Sequence, residues 1–116
     1  MLEQSVQRIV RTFRDVEAPA EQLVERMGGV FNNLLAEHRD ETLLSMQSFT
    51  TGEPVIREKV REGFAQIRQV VQEKFEEAHV PQPGFQASNF VGLGMAAILS
   101  EILELPELSP YYCEEV

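Results

Sequence analysis

The chain has 116 residues, enough for one domain with one buried core. Its net charge of −9, from 19 acidic against 10 basic residues, repels phosphate backbones and argues against nucleic-acid binding by this chain alone. No apolar run approaches the roughly 18 residues of a membrane span. The N-terminus lacks a signal peptide's apolar region, and the single cysteine, Cys113, cannot form an internal disulfide, so a reducing cytoplasm is the expected location.

Leu2, Val6, Ile9, Val10, Phe13 and Val16 share one stripe of a helix from about residue 2 to 16. Arg8, Arg11 and Arg14 on that helix, interleaved with Glu3 and Asp15, read as a solvated face. Pro19 suits the first turn of a second helix, whose stripe runs from Leu23 through Met27 and Phe31 to Leu35. Gly28 and Gly29 inside it cost about 1 kcal/mol each relative to Ala and point to a kink or a close helix crossing. Asp40 is a candidate N-cap for a short third helix, and Leu43, Leu44, Met46 and Phe49 spread so widely around it that it is expected in the middle of the fold.

After Thr50, Thr51 and Gly52, Pro54 restarts a long helix to about residue 78, with Ile56, Val60, Gly63, Phe64, Ile67, Val70, Val71 and Phe75 on one stripe. The prolines of HVPQPG end it, and so short a link makes its two flanking helices antiparallel neighbours. The last helix, about 85–105, holds no charge from Phe90 until Glu101, and its large apolar residues cover roughly 160° against the roughly 100° that one-sided burial needs. It therefore needs two partners. Gly92, Ala96 and Ser100 share an i, i+4 ridge that lets a second copy approach, and with Val91, Met95, Leu99 and Leu103 they are the expected dimer interface. Residues 106–116 read as an irregular tail.

The expected architecture is all-α. One helical domain over residues 1–116 has five helices, the last two, 54–78 and 85–105, forming an intermolecular four-helix bundle.

The run EHRDETLLSMQSFTTGEPVIREKVREGFAQI resembles the regulatory domain of TetR-family transcriptional repressors, and the likeness extends more loosely from Leu2 through Leu105. That resemblance implies a bacterial homodimer that binds a small hydrophobic effector between its helices. Residues 2–16 would be the connecting helix that the effector tilts, 19–78 the ligand-binding bundle, and DNA would be met only through helix-turn-helix heads that are absent from this chain. Two such heads must sit roughly 34 Å apart to enter successive major grooves.

A pocket is expected where Met27, Phe31, Met46, Phe49, Phe64 and Ile67 converge, because methionine and phenylalanine reshape readily around apolar ligands. Gln47 and Asn33 are the nearest neutral polar groups that could orient a ligand. Catalysis is not expected: Cys113 lies in an acidic tail that raises a thiol's pKa, and neither a nucleophile elbow nor a phosphate-binding glycine loop is present. Glu76 and His79 make one Glu-x-x-His spacing where di-iron bundles need two, so neither metal nor cofactor is expected. The alternative to the regulator is a dimeric helical interaction module with a solid core and an acidic surface.

Overall fold

The apolar periodicity places the chain in five helices: α1 (Leu2–Arg14), α2 (Ala20–Glu37), α3 (Arg39–Gln47), α4 (Pro54–Glu77) and α5 (Pro83–Ile102). A 3-10 turn, Pro106–Leu108, follows within the stretch read as an irregular tail. This computed structural model describes residues 2–47 and 52–110, apart from the side chains of residues 2, 3, 43 and 45–47. The described residues form an all-α globule without strands.

Helix ends follow local chemistry. Pro19 is the N-cap of α2, not a residue of its first turn, and its carbonyl accepts from the N–H groups of Gln22 and Leu23 at 2.9 Å each. Asp40 is not an N-cap: α3 starts at Arg39, directly after a break at His38, so Asp40 and Glu41 lie inside its first turn, where their charge complements the helix dipole. Pro83 sits in the first turn of α5, which starts two residues before Phe85 because proline's fixed φ suits that position.

Two helices end in left-handed caps without glycine. His79 has φ 62°. Its N–H donates to the Glu76 carbonyl and that of Val80 to the Phe75 carbonyl, the paired bonds of a Schellman motif, with buried Val80 following. Glu104, φ 53°, ends α5 in the same way, with Leu105 N–H on the Ser100 carbonyl. That cap stops α5 at Ile102, short of Leu105.

The core is built from α1, α2, α4 and α5. Phe13, Phe75, Leu23, Met27, Val10 and Val71 are completely buried. Phe31, Phe13, Phe90 and Phe75 make a continuous aromatic row, with centroids 5.5 to 6.0 Å apart and two edge-to-face pairs. Helix α1 crosses α4 at Gly63, where an added Cβ would stand 2.8 Å from Val6 Cγ2, so only glycine permits this approach. The glycine pair of α2 makes no break: the helix runs through it, with Gly28 buried and Gly29 facing open space.

Helix α3 is not covered on all sides: Leu44, one of the residues from which a central place was expected, is 49% exposed. Residues Leu43, Met46 and Phe49, on which the central placement also rested, fall outside the described side chains.

Candidate functional site

Behind the aromatic row the five helices leave a half-open cavity of about 90 Å³ with an almost wholly apolar lining. Helix α1 contributes Ser5, Val6, Ile9 and Phe13, because the stripe that faces the core continues past the crossing at Gly63. The opposite wall is α5, through Phe90, Val91, Gly94, Met95 and Ile98. Val60, Phe64 and Ile67 of α4, Phe31 and Leu35 of α2, and Thr42 of α3 close the remaining sides. Phe31 packs closely on Gly94: an added Cβ there would stand 3.3 Å from Phe31 Cε2.

Three of the six residues expected around a pocket meet in this cavity: Phe31, Phe64 and Ile67. Met27 is completely buried in the core beside it, and it is not part of the lining. Met46, Phe49 and Gln47 are outside the described side chains, and Asn33 is exposed. Of the residues expected at a dimer interface, Val91 and Met95 face the cavity. Gly92, Leu99 and Leu103 lie on the opposite, solvent-facing side of α5, with Ala96 half-buried beside them. Ser100 is covered within the chain: it is 6% exposed, its hydroxyl donates to the Ala97 carbonyl at 2.8 Å, and it borders a polar cleft shared with Asn32, Arg39 and Ser109.

A polar link between α1 and α3 lies beside the cavity. Ser5 Oγ donates to Glu41 Oε1 at 2.7 Å, and Arg8 donates to Glu41 Oε2, so one carboxylate ties α3 to two residues of α1. Arg8 is thus not merely solvated; Arg11 and Arg14 are exposed as expected. The Ser5 hydroxyl, then the Arg8 guanidinium, hold the Glu41 carboxyl below its ordinary value, outweighing partial burial, and His38 adds a weaker attraction in the same direction. Residue Thr42, next to Glu41, lines the cavity from the α3 side. On the other side of α3, Arg39 binds the end of α5 through the Glu101 carbonyl and Glu104 Oε1, and its Nε lies 3.4 Å from Glu101 Oε1.

No family model, curated protein or solved structure matches this chain. Its chemistry must be argued from the cavity and the surfaces themselves. Among the described residues no group of three or more His, Cys, Asp or Glu side chains is placed to hold a metal ion, and no helix is long and apolar enough to cross a membrane.

Proposed function

We propose that the chain is an effector-binding and dimerisation domain of the TetR-repressor type, acting in the bacterial cytoplasm. The observation that carries this reading is the shared cavity: its two long walls are α1, the proposed connecting helix, and α5, whose far side is apolar and exposed. A small hydrophobic effector lodged there touches both elements at once. If it favours one setting of α1 over another by about 1 to 3 kcal/mol, it biases whatever α1 is joined to, here DNA-binding heads not present in this chain. A ligand with equal affinity for both settings would change nothing.

The homodimer rests on α5. Phe85, Leu99 and Leu103, 67%, 47% and 60% exposed, share the face that carries Gly92 and Ala96. Gly92, Ala96, Leu99 and Leu103 follow one another as an exposed apolar strip, from which Ser88 and Asn89 separate Phe85; such a strip suits an interaction surface, and with α4 alongside it would complete an intermolecular four-helix bundle. The domain itself has no catalytic or cofactor-dependent role in this reading.

The alternative, a dimeric interaction module without a ligand, draws on the size of the cavity: about 90 Å³ is less than the roughly 150 Å³ apolar cavity known to hold benzene. Amide hydrogen exchange separates the two. With a small aromatic compound at saturation, slower exchange along residues 6–14 of α1 is the expected result. Exchange that stays the same with every compound tried would leave the interaction module as the better account.

A further inference from the structure

Among the described residues no charged side chain lines the cavity, and Ser5 and Thr42 meet it almost entirely with carbon. The Ser5 hydroxyl is turned to Glu41, at 2.7 Å. Any donor, acceptor or charge carried into this space would give up its water and gain no partner, so a ligand's polar atoms have to stay outside. The walls differ in freedom. Phe13, Phe31 and Phe90 are buried and interlocked, with centroids 5.5 and 6.0 Å apart, and Phe31 packs closely on Gly94, so this wall cannot retreat without breaking its own contacts. Ile9, Val60, Phe64, Val91 and Met95 are only half-buried, and the cavity is half-open.

Size then decides shape. An apolar cavity of roughly 150 Å³ holds benzene, so one of about 90 Å³ holds about four carbons. A ring has to enter whole and must push the walls apart, which weakens its binding. A straight chain enters by its end, seats about four carbons and leaves the rest in the opening. From this we infer that the part of the effector that enters the cavity is the end of a straight alkyl chain, with every polar atom of the molecule held outside. The inference rests on the effector-binding reading and specifies its ligand. Affinity comes from burying methylene groups against the walls, with no hydrogen bond to the protein inside the cavity.

Titration of the full chain with 1-hexanol, cyclohexanol and 1,6-hexanediol, followed by methyl NMR shifts, tests this directly. The first two carry equal numbers of carbons and hydroxyls and differ in shape; the third is the same straight chain with no apolar end. The expected result is 1-hexanol more than tenfold tighter than either of the others, with its shifts at Ile67, Met95 and Ile98. Cyclohexanol within tenfold of 1-hexanol at those methyls overturns the chain shape, and 1,6-hexanediol within tenfold overturns the exclusion of polar atoms, each while leaving a ligand pocket in place. If none of the three shifts the methyl signals of Ile67, Met95 and Ile98, or the shifts fall only on Leu99 and Leu103 of the outer strip, the pocket reading fails and the inference with it. The comparison is made within the unaltered chain, so it depends on no variant's folding.

Discussion

Two sides of one helix have opposite fates in this molecule. On the inner side of α5, Ala87, Phe90, Gly94, Ala97 and Ile98 are buried against α2 and α4. About half a turn away, Phe85, Leu99 and Leu103 stand in solvent although they are no less apolar. Burial in a single chain is thus set by how many neighbours the chain can supply, not by hydrophobicity alone. Among the described residues the four other helices, one of them only nine residues long, cover one side of α5 and leave the other exposed.

Neighbouring residues offer the largest test of that contrast. Ile98 is 7% exposed and Leu99 47%. Ile98→Ala is expected to cost about 2 to 5 kcal/mol in denaturant unfolding at any protein concentration. In a dilute, monomeric sample Leu99→Ala should stay within about 0.5 kcal/mol, and its cost should rise with concentration if a second copy covers the outer side. A concentration-independent loss at Leu99 equal to that at Ile98 would erase the distinction between the two sides.

A second test concerns polar wiring on the inner side. Hydrogen bonds from Ser5 and Arg8 favour the charged form of Glu41, so its pKa is lower in the folded than in the unfolded chain. The stability this provides is fully present above the unfolded value and is lost as the pH falls through the folded one. Glu41→Gln should therefore cost about 1 kcal/mol near neutral pH, with the deficit closing under acid conditions. Because the link lies away from the outer side of α5, subunit count should not change. A deficit that persists in acid would mean that shape, not charge, holds α1 to α3.

Glycines give the smallest and sharpest comparison. Gly29 and Gly92 both sit inside helices with nothing within 4 Å of an added Cβ. Substitution by Ala should stabilise each helix by about 0.5 to 1 kcal/mol from propensity alone. Gly29→Ala is expected to show that gain in thermal melts. In the proposed dimer a partner helix comes close at Gly92, so Gly92→Ala should instead weaken association; an equal gain at both positions would place the interface elsewhere.

Much of the fold was legible because apolar residues at helical spacing must face inward. The stripe of α1 is buried at Val6, Val10, Phe13 and Val16 as its periodicity requires. Helix ends were harder. Left-handed caps are usually signalled by glycine, and here His79 and Glu104 take that conformation with no mark in the sequence. At the N-terminal end of α4 the pattern overstated burial: Ile56 belongs to the stripe yet is 36% exposed, because that end extends beyond the helices packed against the rest.

The candidate site was legible only in part. Periodicity says that Phe31, Phe64, Ile67 and Met27 all point inward, but a void is a property of three-dimensional packing, and nothing in the spacing separates the three that line it from the one that does not. Glu41's partners Ser5 and Arg8 lie 36 and 33 residues away, a pairing no local pattern encodes.

Sedimentation velocity over a range of concentrations, on the unaltered chain beside Leu99→Arg, tests the central claim most directly. The account predicts a dimer for the unaltered chain and a helical monomer for the variant, since a charge on the exposed strip is harmless to one copy and disruptive between two. An unaltered chain that sediments as a monomer throughout, or a variant that remains dimeric, would contradict it.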